Sequence, residues 1–145
     1  LAGKEVQGSC VVLGGGLVGT ETAEYLAQKG VKVSIVEMMD KIAAGESSTV
    51  MPLSVKDFEK HAVAQYIQTK VVSIKNNVIE AVHTPDEAPV ELKADTIVNA
   101  LGSKKNIFDD AKLTVPFTYV GDCSGEKTAD IASAIRTGYH AANEL

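Results

Sequence analysis

Three glycines near the start of the chain have the spacing of a phosphate-binding turn. Gly14, Gly16 and Gly19 form a GxGxxG pattern directly after a short apolar run. Glu37 follows roughly 20 residues later, where dinucleotide sites place an acid for the ribose hydroxyls. The first glycine permits a sharp turn, the second lets the backbone approach a pyrophosphate, and the third lets a helix pack closely. These residues predict a dinucleotide site.

The elements around the glycines are those that such a site needs. Cys10 to Leu13 predict a buried strand, and Ala23 and Leu26 belong to an apolar stripe on the helix that follows. Gly30 is expected to end this helix as a left-handed cap, and Val31 to Val36 predict a second buried strand. The alternative interpretation is a βαβ unit whose glycine-rich turn binds no ligand.

A helix and an antiparallel meander are expected next along the chain. Ser54 and Asp57 resemble a capping pair, which predicts a helix from about Val55 to Gln68. Asn76-Asn77 suits a tight hairpin because Asn tolerates positive φ, and Pro85-Asp86 is typical of a looser turn. These turns predict short antiparallel strands.

The last part of the chain returns to buried strands and ends in a helix. Thr96 to Ala100 predict one strand, and Phe117 to Val120 predict another that Gly121-Asp122 ends sharply. A helix is expected from Thr128 to Leu145, with a small-residue face suited to close packing at Ala129, Ala132, Ile135 and Ala142. The predicted fold class is α/β: a Rossmann-like three-layer parallel sheet with an antiparallel β-meander crossover, plus a C-terminal strand–helix segment.

Composition narrows the function classes. The chain has 145 residues, of which 45% are hydrophobic and 23% charged, as is ordinary for a soluble α/β protein with one core. The net charge of −5 argues against nucleic acid as a partner. We expect no membrane partner and a cytoplasmic location, because no apolar run is long enough to span a bilayer and no signal peptide opens the chain.

Reactive side chains give little sign of catalysis. Cys10 and Cys123 lie far apart without a CxxC spacing, which suits a reducing compartment. His61, His83 and His140 have no metal-ligand spacing and no paired nucleophile. We therefore predict neither a metal site nor a catalytic residue in this chain.

Four motifs occur in a fixed order: GGGLVGTETA (Gly14 to Ala23), IVNALGSKKN (Ile97 to Asn106), TYVGDC (Thr118 to Cys123) and SAIRTGYHAANEL (Ser133 to Leu145). In this order they resemble the pyridine-nucleotide-disulfide oxidoreductase superfamily, flavoproteins with two dinucleotide folds. The longer segment GGGLVGTETAEYLAQKGVKVSIVEMMDKIA (Gly14 to Ala43) is most similar to the old-yellow-enzyme-like NADH:flavin oxidoreductases of the 2-enoate reductase and 2,4-dienoyl-CoA reductase type. In those enzymes a TIM barrel with FMN and an iron–sulfur cluster precedes the two dinucleotide folds.

The resemblance implies a division of the chain. Residues 1–8 are expected to be a linker, 9–107 an NAD(H)-binding Rossmann-like domain, and 108–145 the C-terminal segment of an FAD-binding domain. The family's first FAD-binding glycine motif is missing, and the segment between SKKN and TYVGD is short. We therefore expect a fragment that holds FAD weakly by itself.

Several residues receive expected roles. Glu37 should bind the adenine ribose and favour NADH, because it repels a 2′-phosphate and only Lys41 stands nearby in sequence. The alternative is a solvated acid at a strand end. By resemblance, Glu21 on the first helical turn lies near the nicotinamide, or else only complements the helix dipole. Ala100 and Gly102 let the cofactor lie flat, or simply form a tight turn.

The resemblance implies that Asp122 binds the ribityl and phosphate region of FAD. It also implies that Thr128 and Ala129 lie at the helix N-terminus that faces the flavin. For Asp122 the alternative is a turn cap. The full set of expected cofactor-binding residues is Gly14, Gly15, Gly16, Leu17, Val18, Gly19, Glu21, Glu37, Met38, Ala100, Leu101, Gly102, Gly121, Asp122, Thr128 and Ala129.

The function expected from this resemblance is delivery of hydride from NADH to a flavin, by the NADH-binding domain of a multidomain flavin-dependent oxidoreductase. NAD(H) would bind this region, with FAD in the intact protein and FMN and an iron–sulfur cluster in upstream domains. The partners would be NADH, the flavin and the upstream domains of the parent chain, and a homo-oligomer is left open. One alternative is a non-catalytic NAD-sensing regulatory module of the potassium-transport-regulator type. Another is a self-contained Rossmann dehydrogenase, although the length leaves no room for a substrate domain.

Overall fold

The short apolar runs of the sequence become strands in the computed structural model of the chain. The structure describes residues 5–44, 51–104, 106, 113–124 and 131–144, without the side chains of 51–55. The chain divides into two units, unit 1 (Leu1–Gly102) and unit 2 (Ser103–Leu145). Every strand of the described residues lies in unit 1.

Unit 1 contains a parallel and an antiparallel sheet. Its elements are, in chain order, β1 (Ser9–Leu13), α1 (Leu17–Gln28), β2 (Lys32–Val36), α2 (Met51–Lys60), β3 (Ala64–Tyr66), β4 (Thr69–Lys75), β5 (Val78–His83), β6 (Ala88–Lys93) and β7 (Thr96–Asn99). The parallel sheet has the strand order β3-β2-β1-β7, and the antiparallel sheet has the order β4-β5-β6.

The parallel sheet has an apolar core on each of its faces. On one face Val12 packs in a cluster with Leu26 of α1 and Phe58 of α2. On the other face Leu13 packs in a cluster with Ile79 of β5 and with Ala94. Cover on both faces explains the continuous apolar runs of β1 and β2. The predicted Rossmann-like arrangement of helices, parallel sheet and antiparallel meander is therefore confirmed.

The register of the parallel sheet brings three strand ends together. β1 pairs in parallel with both β2 and β7, and Leu13 lies opposite Val36 on one side and Asn99 on the other. Since parallel strands point the same way, the residues that follow them emerge at one edge of the sheet. This carboxyl edge therefore carries the glycine turn and the segments that begin at Glu37 and Ala100.

The turns of the antiparallel sheet agree with the sequence. Asn76 and Asn77 have φ values of 49° and 62° and join β4 to β5. The looser turn around Pro85-Asp86 joins β5 to β6, with Glu87 at a φ of 57°. Both predicted turns are confirmed.

The prediction for α2 was wrong at both ends, since the helix spans Met51–Lys60 instead of 55–68. Ser54 therefore lies inside the helix and not at its N-cap. Ala62 adopts a φ of 51°, and the Val63 N–H donates to the Phe58 carbonyl at 2.9 Å, which closes the helix. The residues that follow pair with β2 as β3, so sheet pairing overrides the helical pattern.

β7 is half-buried, although the sequence predicted a buried strand that includes Ala100. The strand ends at Asn99, and its first three residues are only partly covered. It stands at the end of the strand order β3-β2-β1-β7, so one neighbouring strand covers it instead of two.

Unit 2 differs from its prediction more strongly. Residues 117–120 do not form a strand, because a strand needs a hydrogen-bonded neighbour and no described segment pairs with them. Gly121–Cys123 form a 3₁₀ turn, and the φ of 61° at Gly121 agrees with the predicted sharp stop. Cys123, the last residue of this turn, is partly exposed.

The last helix, α3, spans Ile131–Asn143 in the described residues. Its predicted start at Thr128 and Ala129 lies outside them. None of the residues of α3 is buried, and Ile135 on the predicted packing face is 68% exposed. Nowhere in the described part of the chain does a helix have the length and apolar character needed to cross a membrane.

Candidate functional site

The glycine turn connects β1 to α1 at the carboxyl edge of the sheet. Gly14 has a φ of 98°, and its N–H donates to the Val36 carbonyl at 2.8 Å. A Cβ on Gly14 would stand 2.4 Å from the Ala100 carbonyl oxygen, and one on Gly19 would stand 1.8 Å from the Gly14 carbonyl oxygen. The turn and the helix packing thus require these two glycines.

Gly16 has no such packing reason to be glycine. A Cβ built there meets no atom within 4 Å among the described residues, and Gly16 is exposed. It is the N-cap of α1, and within the described part of the chain no side chain caps the helix there. The first N–H groups of a helix carry partial positive charge and lack intrahelical acceptors. This end of α1 is therefore suited to an anion.

Glu37 is fixed at the edge of the sheet by two backbone hydrogen bonds. Its Oε2 accepts the Gly15 N–H at 2.6 Å, and its Oε1 accepts the Met39 N–H at 2.7 Å. A carboxylate has about four lone-pair positions, so each oxygen keeps capacity for a further donor. The side chain is half-buried. Glu37 is thus an oriented acceptor and not a freely solvated acid.

A cleft of about 470 Å³ lies in front of these groups. This volume lies within the range of roughly 300–1,000 Å³ that is typical of ligand pockets. The cleft brings together seven of the residues predicted from the sequence: Gly14, Gly16, Glu37, Met38, Ala100, Leu101 and Gly102.

Three further lining residues from β4, Thr69, Lys70 and Val71, were missed by the sequence analysis. The Thr69 N–H donates to the Glu37 carbonyl at 2.8 Å, which places the start of β4 beside the end of β2. No local pattern in the sequence indicates this contact, because it depends on how the meander folds over the sheet. Lys70 adds a positive charge to a cleft that also contains the Glu37 carboxylate.

Some predicted residues lie away from the cleft lining. Leu17 and Val18 are exposed at the start of α1. Glu21 is also exposed, and α1 has no acid in its first turn, so the predicted position of Glu21 there was wrong. The helix dipole acts mainly within the terminal turn, so the alternative role for Glu21 also loses support.

The predicted flavin residues lie in unit 2. Asp122 is exposed in the 3₁₀ turn, and the Gly121 N–H donates to the Thr137 hydroxyl of α3 at 2.8 Å. Thr128 and Ala129 lie outside the described residues. A role for this turn in flavin binding stays a prediction.

Two sequence comparisons relate the chain to known proteins. The family model "Pyridine nucleotide-disulphide oxidoreductase" matches residues 1–129. A bilirubin reductase of Mediterraneibacter gnavus (strain CC55_001C) is 48% identical over 141 residues, which are 95% of this chain and 22% of that protein. An NADH oxidase of Thermoanaerobacter brockii is 73% identical over 33 residues, 23% of this chain and 5% of the oxidase.

Solved structures share the fold. A 2-naphthoyl-CoA reductase in complex with 2-naphthoyl-CoA aligns with a TM-score of 0.73 at 24% identity, over 95% of this chain and 21% of that one. At this identity the likeness shows the fold alone. The chain spans about 22% of the length of the bilirubin reductase that it matches.

Proposed function

The chain belongs to the pyridine nucleotide-disulphide oxidoreductase family, and from this premise we propose that unit 1 binds NADH for a multidomain flavin-dependent oxidoreductase. The family uses FAD and NAD(P)H, and the chain is a flavin-dependent pyridine nucleotide oxidoreductase domain related to bilirubin reductase and NADH oxidase. When bound, NADH supplies a hydride that a flavin accepts. The part proposed for this chain is to bind and orient the nucleotide.

One observation carries the proposal: the Glu37 carboxylate is held beside the glycine turn by the Gly15 and Met39 amides, at 2.6 and 2.7 Å. The remaining acceptor positions of the carboxylate suit the two hydroxyls of an adenine ribose. The α1 N-terminus at Gly16 lines the same cleft and suits the pyrophosphate. Groups suited to a ribose and groups suited to a pyrophosphate therefore line the same cleft, which supports the proposal.

We propose NADH over NADPH on electrostatic grounds. A 2′-phosphate on the adenine ribose would be repelled by the Glu37 carboxylate and would replace the hydroxyl that the carboxylate is proposed to bind. Lys70 offers an opposite charge, but it is exposed, and exposed ion pairs contribute about 0.2–1 kcal/mol. The acid should therefore decide the preference.

For the full-length protein we propose that Asp122 contacts FAD, as the family resemblance implies. The Gly121 N–H donates to the Thr137 hydroxyl at 2.8 Å, and this bond attaches the turn that contains Asp122 to α3. Leu17, Val18 and Glu21 remain candidates for the nicotinamide end, because α1 carries them near the glycine turn.

The test is a titration of the chain with NADH and with NADPH, followed by the fluorescence of the nucleotide. We expect at least about tenfold tighter binding of NADH, and we expect Glu37→Ala to weaken NADH binding about tenfold and to narrow the difference between the two nucleotides. Glu91→Ala, which removes an exposed acid of β6 outside the cleft lining, is the matched control and should change nothing. Failure to bind either nucleotide would refute the proposal, and equal binding would refute the role of Glu37.

In the full-length protein, the proposal predicts that adding NADH without an electron acceptor bleaches the visible absorbance of the flavin. Bilirubin is the first acceptor to try, because the 48% identical relative is a bilirubin reductase. A flavin that stays oxidised under NADH would contradict the proposed electron transfer while leaving nucleotide binding intact.

A further inference from the structure

The peptide group between Gly15 and Gly16 is held from inside the protein. Its carbonyl oxygen, on Gly15, accepts the Ala43 N–H at 2.6 Å and the Thr20 hydroxyl at 3.2 Å. Thr20 lies on α1 and is only 2% exposed. Two donors from different segments therefore point the same carbonyl toward the interior.

Thr20 has no role as a solvated side chain. A buried hydroxyl is unfavourable unless it is hydrogen-bonded, and the Gly15 carbonyl is the acceptor of its proton. Valine would fill the same volume without the desolvation cost of a hydroxyl. The hydroxyl is thus explained by what it does to the turn and not by packing.

The loop after β2 provides the second donor. Ala43 has a φ of 54°, which is uncommon for a residue with a side chain. The neighbouring Ile42 reaches the turn as well, since a Cβ on Gly15 would stand 2.9 Å from its Cγ2. The loop is therefore folded back so that the Ala43 amide meets the Gly15 carbonyl.

Because the peptide group is planar, the direction of the Gly15 carbonyl also fixes the direction of the Gly16 N–H. In a trans peptide the C=O and the following N–H point in opposite directions. Because the Gly15 carbonyl points inward, the Gly16 N–H must point outward. Gly16 is exposed and lines the cleft, with free space in front of it.

Glu37 fixes the peptide before this one, because it accepts the Gly15 N–H at 2.6 Å. Two successive peptide groups are thus oriented by different partners. Glu37, proposed to bind the ribose, holds the peptide before Gly15, and Thr20 and Ala43 hold the peptide between Gly15 and Gly16, which is proposed to face the pyrophosphate. If the second peptide turned over, its carbonyl oxygen would face the cleft and repel a phosphate.

We infer that Thr20 is a positioning residue that, with the Ala43 backbone, aims the Gly16 amide at the pyrophosphate of the bound nucleotide. This rests on the proposed NADH binding and adds a residue that touches no ligand. Thr20 acts only through the orientation of one peptide. Its loss should therefore weaken the binding of ligands that contain the pyrophosphate and leave adenosine recognition unchanged.

The experiment compares Thr20→Val, which removes the hydroxyl at nearly constant volume, with Thr20→Ser, which keeps it. Dissociation constants for NADH, ADP and adenosine are measured by calorimetry on the whole chain. We expect Thr20→Val to bind NADH and ADP roughly five- to tenfold more weakly, as the loss of one aligned hydrogen bond implies. Adenosine should change less than about twofold, and Thr20→Ser should behave as wild type.

The outcomes separate this inference from the proposed function. If the wild type binds NADH but Thr20→Val binds ADP as tightly as wild type, or loses adenosine equally, the inference is overturned and the proposed function stands. If the wild type binds neither NADH nor ADP, the proposed function fails and the inference fails with it.

If Thr20→Val does not fold, the Gly16 amide resonance of the wild-type chain tests whether this amide faces the pyrophosphate. The Gly16 amide proton should move to lower field when ADP is added and should respond much less to adenosine. A Gly16 resonance that ignores ADP, in a chain that binds ADP, overturns the inference.

Discussion

The helices α1 and α3 have similar lengths and similar apolar residues but very different surroundings. α1 buries Ala23, Leu26 and Ala27 against the parallel sheet. α3 buries none of its described residues, and its Ile131 and Ile135 are 81% and 68% exposed. The sequence pattern predicts that a helix has an apolar face, but the pattern does not say whether another element covers it.

The glycine turns of the two units differ in the same way. Gly14 and Gly121 both have positive φ, at 98° and 61°. The Gly14 amide bonds to the Val36 carbonyl inside the sheet, whereas the Gly121 amide bonds to the Thr137 hydroxyl of a helix with no buried residue. The glycine turn of unit 1 is therefore built into a core, whereas the amide of Gly121 is bound by a side chain of a helix that buries none of its described residues.

The largest expected effect comes from making one substitution in both units. Ile35→Ala removes a side chain that is fully buried in unit 1 and should lower the free energy of unfolding by about 2–5 kcal/mol. Ile135→Ala should stay within about 0.5 kcal/mol, because the side chain is exposed on α3. Urea unfolding followed by circular dichroism measures both, and equal losses would contradict the difference between the units.

Alanine substitution of one glycine in each unit should change the free energy of unfolding in opposite directions. Gly19→Ala would place a Cβ 1.8 Å from the Gly14 carbonyl oxygen, and overpacking of this kind costs about 1–3 kcal/mol. Gly138→Ala on α3 meets no described atom within 4 Å and should stabilise the helix by up to about 1 kcal/mol. Thermal unfolding tests the signs, and destabilisation by Gly138→Ala would mean that α3 packs more tightly than its exposure indicates.

The smallest expected effect on stability comes from Asp95, which contacts the start of β1, the end away from the glycine turn. The Ser9 N–H and hydroxyl donate to Asp95 Oδ2 at 2.8 and 2.9 Å, and these bonds lower the pKa of Asp95. A lowered carboxyl pKa adds stability above the unfolded value of about 3.9, and this stability is lost as the pH falls through the folded value. The stability difference between wild type and Asp95→Asn should thus be constant above about pH 5 and shrink in acid. A difference that does not change with pH would contradict this assignment.

The parts of unit 1 that follow local rules were predictable from the sequence. The glycine turn, β1, β2 and the Asn76-Asn77 hairpin rest on residue types that force a φ angle or a burial pattern. The end of α2 was not predictable, because it depends on the positive φ of Ala62 and on the pairing of the following residues with β2, which lies far away in the sequence. The lining residues Thr69 and Lys70 were missed for a similar reason, since a fold of the meander brings them to Glu37.

Unit 2 shows more clearly which features cannot be predicted from the sequence. Residues 117–120 have the apolar character of a strand, yet strand formation depends on a partner that the described residues do not provide. The inward role of Thr20 also left no sequence signal, because a threonine after the last glycine looks like any helix residue. Only the position of its hydroxyl, 3.2 Å from the Gly15 carbonyl oxygen, reveals it.

The central claim is that the nucleotide binds over the glycine turn of unit 1, between Glu37 and Gly102. The most direct measurement is a titration of the isotope-labelled chain with NADH while all backbone amide resonances are followed. We predict shifts at the amides of Gly15 and Gly16, of Glu37 and Met38, and of the turn after β7, with no shift along α3. Shifts confined to unit 2, or a turn that stays unperturbed at saturating NADH, would contradict the account.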